Sequence, residues 1–326
     1  MTSSAIHLPT AEGRGSVSGV PNLPDGFADT FTSRFVDVGD LRLHAVIGGA
    51  GPPLLLIHGW PQSWYAWRML MPRLAEDFEV IAVDQRGIGL SDKPRDGYDI
   101  GTLASDLAAL MAVLGHEEFA VYGTDTGMPI AHALAADHPE RVKRLVVSEA
   151  FLPGIASALP LFVPPILNAR LWHLMFNQLP GEVNEALVRG REDVFFGAEF
   201  AASAGTTKLP ADAVEYYVDT LAADPEALRG SFEFYRAIPA SAAQNEERKN
   251  RRLPMAVLGI GGEESGGENA ANAMKLVADD VQTVVLPGSG HWVAEQAPEA
   301  LLAALTEFLA PYREQVTAAS HAGAAH

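Results

Sequence analysis

Val121-Tyr122-Gly123-Thr124-Asp125-Thr126-Gly127 follows a short apolar run that begins at Phe119 and precedes an amphipathic stretch over residues 128–136. The pattern is strand, tight turn, helix, with glycines two before and two after a central aspartate. Tiny residues at those two places let the strand and helix backbones approach across a sharp, strained turn that exposes the central side chain. Asp125 then stands where serine stands in the G-x-S-x-G form of this elbow. Taken alone, the heptapeptide fits equally well a plain strand-to-helix turn with Asp125 as N-cap. Its surroundings decide.

Working outward, apolar runs recur at residues 54–57, 79–83, 119–122, 142–148, 255–260 and 281–286. They lack alternation, which suits strands buried on both faces. Helical stretches at 64–75, 102–114, 128–136, 270–278 and 291–309 separate them. This rhythm predicts an α/β fold with right-handed crossovers and a parallel sheet. Two further runs within residues 32–47 meet at Gly39-Asp40 and predict a hairpin. Residues 150–250 hold no comparable run but carry helical patterns at 183–191, 211–221 and 225–235, so a helical insertion follows the sixth strand. The expected divisions are a flexible tail over 1–28, a core over 29–149 and 251–312, the insertion over 150–250, and a flexible tail over 313–326. The tails are rich in small and polar residues without apolar periodicity. The charged run from Glu246 to Arg252 reads as a solvated exit from the insertion.

Composition narrows the function. The 326 residues are 48% hydrophobic and 20% charged, enough for a large core without disulfides or metals to staple it. The absence of cysteine excludes cysteine nucleophiles, thiolate zinc sites and iron–sulfur clusters. With 23 basic and 41 acidic residues the net charge is −18, which repels nucleic acid and anionic membrane surfaces. Residues 1–28 lack the apolar run of a secretory signal. The longest uncharged stretch, 151–169, is broken by Pro153, Pro160, Pro164 and Pro165, so no membrane span is expected. These features predict a soluble, cytoplasmic protein.

Three segments complete the chemistry around Asp125. His58-Gly59-Trp60-Pro61 closes the third strand, with His58 read as a brace for its loop. Gly288-Ser289-Gly290-His291-Trp292 follows the last strand, and His291 alone among 10 histidines occupies a strand-end loop in the order nucleophile, acid, base. Val146-Val147-Ser148-Glu149 ends the sixth strand in a lone acid able to orient His291. Glu263 or Glu264, in the Gly-rich loop after the seventh strand, is the rival for that role; the loop otherwise reads as a flexible turn. Asp84-Gln85-Arg86-Gly87-Ile88-Gly89-Leu90-Ser91-Asp92 contains G-x-G but lacks the third glycine and later acid of a dinucleotide site. No cofactor or metal is implied.

Together these motifs, over about residues 30–312, resemble the α/β-hydrolase superfamily in its epoxide hydrolase branch. Leu171-Trp172-His173-Leu174-Met175-Phe176 and Ser231-Phe232-Glu233-Phe234-Tyr235-Arg236-Ala237 are similar to the cap of the bacterial Cif-like epoxide hydrolases. The resemblance implies an α/β-hydrolase fold: a mostly parallel eight-stranded sheet flanked by helices, with the insertion as a helical cap (lid). It implies that the Trp60 and Thr126 N–H groups form an oxyanion hole and that His173 and Tyr235 hold the epoxide oxygen. It also places the orienting acid at Glu149. A homodimer is implied by resemblance alone, and the chain departs from that subgroup in lacking a secretion signal. Trp60, Trp172, Phe176 and Trp292 are the aromatic candidates for contacts to a small apolar substrate; Trp64 and Trp67 fit packing equally well.

A carboxylate suits this chemistry because it is ionised near neutral pH and needs no base before attacking a saturated carbon. His291 and Glu149 would then activate water against the resulting ester. The expected reaction is hydrolysis of an epoxide to a vicinal diol. Haloalkane and haloacid dehalogenases use the same Asp–His–Glu set and are the alternative. Their halide-binding tryptophan, or their carboxylate-binding arginines, would fall at Thr126 and Pro129 here. A non-catalytic ligand-binding homologue is the third reading, although all three catalytic positions are filled.

Overall fold

A computed structural model describes residues 8–9, 12–156 and 162–323, with side chains described as far as residue 316. The hairpin β1 (Phe31–Asp37) and β2 (Arg42–Gly48) leads into β3 (Pro53–Ile57), β4 (Glu79–Val83), β5 (Phe119–Thr124), β6 (Val142–Ser148), β7 (Val257–Gly262) and β8 (Val281–Leu286). They form one sheet of order β1-β2-β4-β3-β5-β6-β7-β8. β2 is antiparallel to both of its neighbours and every other pairing is parallel.

The helices are α1 (Phe27–Thr30), α2 (Met71–Leu74), α3 (Ile100–Val113) and α4 (Gly127–Asp137) before the insertion. Within it come α5 (Pro165–Phe176), α6 (Gly181–Val188), α7 (Glu192–Ser203), α8 (Ala211–Ala222), α9 (Pro225–Arg236) and α10 (Ile238–Arg248). α11 (Asn269–Lys275), α12 (Val293–Gln296) and α13 (Pro298–Gly323) complete the chain. Among the described residues no helix is long and apolar enough to cross a membrane.

The apolar runs lack alternation because both sheet faces are covered. Leu55, Ile57, Ile81, Val83, Val121 and Val147 pack with residues of α3, α4 and α11. Leu54, Leu56, Val80, Ala82, Tyr122 and Val146 pack on the opposite face with Trp64, Trp67 and the α13 residues Leu301, Leu305 and Leu309. Trp64 and Trp67 are therefore core residues.

Several boundaries differ from expectation. Within the N-terminal stretch expected as a tail over 1–28, Gly13 bridges to Ser33, and Val17 and Val20 are buried with Phe27 and Phe31. Isolated valines among glycines and serines have no period, so their burial leaves no trace in the pattern; residues 1–7 lie outside the described part. At the other end, α13 continues through Gly323 instead of stopping at 312, with Pro311 inside it. The single helix expected over 291–309 is two, because Pro298 opens a new helix at its first position, where no N–H is required. Residues 64–75 form a 3-10 turn at Trp64–Trp67 followed by the short α2.

The insertion docks by specific polar contacts. Arg229 of α9 donates to the carbonyls of Lys93 and Pro94 at 2.6 and 2.9 Å. Gln244 of α10 donates to Asp99 and accepts from the Gly101 N–H. Arg248 is buried and pairs with Asp137, although the run that contains it was expected to be solvated. The G-x-G of residues 87–89 has a structural use here: a Cβ on Gly230 of α9 would lie 2.3 Å from the Gly87 carbonyl oxygen. Gly230 thus allows α9 to approach this loop's backbone, while the missing Cβ of Gly87 makes room for the Tyr98 ring.

Candidate active site

The strand order reverses at β3, whose neighbours β4 and β5 both follow it in the chain. Loops leaving the carboxyl ends of β3 and β5 diverge there and open a crevice, the usual place for a ligand in such sheets. Ile57 lies opposite Gly123, so the His58-Gly59-Trp60 loop and the Asp125 elbow emerge side by side. A Cβ on Gly123 would lie 2.2 Å from the Gly127 oxygen, and one on Gly59 would lie 2.3 Å from the Asp125 Cβ. Glycine at these positions is a condition of closure. Asp125 itself has φ 49, in the left-handed region that strains any residue with a Cβ.

That closure aims two backbone donors at one oxygen. Asp125 Oδ1 accepts from the Trp60 N–H at 3.0 Å and from the Thr126 N–H at 2.5 Å. Asp125 Oδ2 lies 2.9 Å from His291 Nε2, and His291 Nδ1 lies 3.0 Å from Glu149 Oε2. Glu149 follows β6 with φ 61 and is almost fully buried. Its Oε1 accepts from the Gly262 and Gly266 N–H groups at 2.6 and 3.3 Å, and Oε2 accepts from the Ser265 hydroxyl at 2.7 Å. Glu263 accepts instead from the Gly288 N–H, and Glu264 from the Thr206 N–H and hydroxyl. The Gly-rich loop expected to be only a flexible turn is therefore the cradle of Glu149. Side-chain-free residues leave its N–H groups accessible, a signal present in the sequence but shared with ordinary turns.

Charge follows from this geometry. Burial opposes protonation of His291, but its hydrogen bonds to Asp125 and Glu149 and their charges outweigh it and push the pKa up to about 10. Burial works to raise the Asp125 pKa, yet the His291 contact and the two backbone donors hold it below the ordinary carboxylate value. The resting pair is carboxylate and imidazolium. His58 is kept neutral chiefly by burial; its Nδ1 faces the Gly59 oxygen and its Nε2 accepts from the Gln85 N–H. It ties the β3 and β4 loops together.

Above Asp125 lies a cavity of about 570 Å³, walled by the elbow, by His291 and Trp292, and by residues of α5, α7 and α9. His173 and Tyr235 line it, their rings 5.9 Å apart and perpendicular, with the Trp60 ring 5.0 Å from the first and 5.4 Å from the second. Burial, then the charges of Asp125 and Glu199, raise the Tyr235 pKa well above that of a free phenol, so it stays a neutral O–H donor. Trp60 and Trp292 line the cavity as expected aromatic walls, but Trp172 and Phe176 do not. These two are four apart on α5 and share a face that packs on Phe195, at 5.4 and 5.3 Å between rings, while Leu171, His173 and Leu174 turn to the cavity. Glu199 of α7, a cavity-lining carboxylate buried to 1% exposure, has no counterpart among the expected site residues. It sits in an apolar helix pattern where a lone glutamate looks like a surface position.

Known proteins share this fold. A family model described as alpha/beta hydrolase fold matches residues 52–298. The soluble epoxide hydrolase of Corynebacterium sp. (strain C12) is 32% identical over 278 residues, 83% of this chain and 95% of that protein. The fluoroacetate dehalogenase of Burkholderia sp. is 31% identical over 300 residues, 88% of this chain and 96% of its own length. The crystal structure of Cfl2 wild-type from Burkholderia cenocepacia superposes with a TM-score of 0.82 at 33% identity, covering 88% of this chain and 98% of that one. With the sheet, the elbow and the matched family model in agreement, this chain belongs to the alpha/beta hydrolase fold family.

Proposed function

We propose that this hydrolase opens a small apolar epoxide to a vicinal diol through an ester of Asp125. In the first step an Asp125 oxygen attacks an epoxide carbon. One C–O bond forms, the ring C–O bond breaks, and its electron pair leaves on oxygen, which takes a proton from Tyr235 or His173. The ester has lost the negative charge that held the His291 proton, so the imidazolium releases that proton to solvent and the neutral imidazole can accept one from water. Water adds to the ester carbonyl, the oxyanion rests on the Trp60 and Thr126 N–H groups, and collapse releases the diol. Glu149 holds the ring in place and stabilises its charge throughout.

The observation that carries this reading is the pairing of one cavity's two walls. A carboxylate already held as an anion faces a buried phenol and an imidazole suited to a departing alkoxide. Dehalogenation would use the same carboxylate, and a relative bears that name. Thr126 and Pro129, however, line the cavity without a side-chain N–H for a halide or a substrate carboxylate.

Intact-mass measurement on His291→Gln, incubated with epoxides and haloalkanes, tests the choice. Without the base the ester persists. A mass gain of a whole epoxide supports ring opening; a gain of an alkyl group without its halogen would replace it with dehalogenation.

A further inference from the structure

Among the described residues, the cavity above Asp125 opens on one side. Along the sheet its walls come from the segments after β5, β6, β7 and β8 and from α11, but on the β3 side from Trp60 alone. No residue of 84–92, the loop after β4, lines it. Trp60 is buried, and its ring packs against His173 at 5.0 Å, Tyr235 at 5.4 Å and Phe196 at 5.7 Å between ring centres, which closes that end. In the other direction the walls reach the surface. The exposed residues among those that line the cavity are Phe151, Leu167, Asn269, Asn272 and Leu276. They belong to the segment after β6, to α5, and to α11 with its C-cap. Strands in a sheet stand about 4.8 Å apart, so two steps from β5 to β7 carry this trench roughly 10 Å sideways from the carboxylate.

The chemistry of the trench is that of a chain. Between floor and rim it is walled by Ala150, Pro153, Ala156, Ala270 and Ala273, which give width without a side-chain hydrogen bond. Three rim residues are large and apolar, and Leu276 is 54% exposed. Apolar side chains left in water around a cavity mouth mark a place for an apolar ligand. The one guanidinium in the lining, Arg170, donates to the Glu264 carbonyl at 2.9 Å. At about 570 Å³ the cavity has the size of a pocket for a drug-sized molecule, far more than an epoxide ring fills. We propose that the substrate is a terminal epoxide with a single long apolar arm. Its ring sits at Asp125, and the arm lies along Ala270 and Ala273 to the rim at Leu276. The closed end at Trp60 takes only the unsubstituted side of the ring. This inference rests on the epoxide reading above and gives the shape of that substrate, but its first test is independent of the reaction.

That test is calorimetric binding of straight-chain primary alkanols, from butanol to dodecanol, to the parent protein. Affinity should rise about two- to fourfold per methylene, the scale of burying one CH₂ group, and level off when the chain reaches the rim. A flat series would overturn the proposal whatever the reaction is. The second measurement is kcat/KM for terminal alkyl epoxides over the same lengths, which should rise by a similar factor. A terminal epoxide should exceed one in the middle of the same chain by about tenfold or more, because the second arm of the latter meets Trp60. Equal values for the two isomers would refute the single arm. Leu276→Asp puts a charge at an exposed position on the path of the arm, and should cut the ratio of long-arm to short-arm kcat/KM about tenfold or more. A merely structural effect would lower both alike and leave the ratio unchanged, and that result would defeat the proposal. So would a marked preference for an arm ending in a carboxylate, which would assign the rim to Arg170. If no epoxide of any length reacts while a haloalkane forms an adduct on His291→Gln, the epoxide reading fails and this substrate class with it. A rising alkanol series would then place the failure in the reaction and not in the trench.

Discussion

At the residue scale the proposed chemistry depends on one proton that belongs to a pair. His291 is charged at rest because Asp125 and Glu149 flank it, and its pKa of about 10 is far above that of a free imidazole. Asp125→Asn keeps the shape of the side chain but removes its charge, imitating the ester. The His291 pKa should fall by more than one unit, as ring titration by nuclear magnetic resonance would register. Turnover in Asp125→Ala should drop by roughly 10⁴-fold or more, the scale seen when a nucleophile is removed. Glu149→Gln should slow breakdown of the ester by about 10²-fold or more, while Glu263→Gln and Glu264→Gln stay near parent. Single-turnover mass kinetics separate the two steps. The reverse ranking would reassign the orienting acid to the loop after β7.

At the scale of elements, position on α5 separates cavity walls from packing. Trp172 and Phe176 lie on the face that meets Phe195, one helical turn apart, whereas His173 lines the cavity above Asp125. Trp172→Ala should therefore cost about 1–3 kcal/mol in chemical denaturation, less than a fully buried tryptophan, and leave KM close to parent. A large rise in KM without loss of stability would show that Trp172 contacts substrate after all. The approach of α9 to the loop at Gly87 gives a second handle. A methyl group at Gly230 would meet the Gly87 carbonyl oxygen at 2.3 Å, so Gly230→Ala must push α9 and Tyr235 away from Asp125. Melting temperature and the rate of ester formation should fall together, with destabilisation of about 1–3 kcal/mol.

At the scale of the whole molecule, two histidines set opposite limits of pH stability. His132 in α4 has no hydrogen-bond partner on either ring nitrogen among the described residues, and burial, aided by the charge of Arg248, lowers its pKa to about 4. Between pH 6.5 and 4 the unfolded chain binds a proton there that the folded protein refuses, so stability falls as pH drops, by about 3 kcal/mol at most. His291 has the opposite sign. Its raised pKa stabilises the fold below pH 6.5, and that contribution is lost as pH rises towards 10. Melting temperature should peak near neutral pH. His132→Leu should flatten the acid side and Asp125→Asn the alkaline side; an unchanged profile in either variant would remove that histidine from the account.

The sequence by itself determined the sheet, the order of its strands along the chain and the loops that carry Asp125, Glu149 and His291. Strands buried on both faces must be apolar throughout, and an elbow whose flanking Cβ atoms would collide with backbone must have glycine there. Both constraints are local, so they are written in short runs of residues. What the tertiary structure decided depends on contacts between distant segments. Whether Glu149 or a glutamate of the next loop meets His291 turns on which N–H groups of residues 262–266 surround a carboxylate more than 110 positions away. Which face of α5 meets the cavity follows from the packing of Phe195 against it, and the partnership of His173 with Glu199 from the crossing of α5 and α7. The burial of Val17 and Val20 is likewise invisible in a stretch without period. Such choices arise from three-dimensional neighbours, and no pattern along one strand or one helix records them.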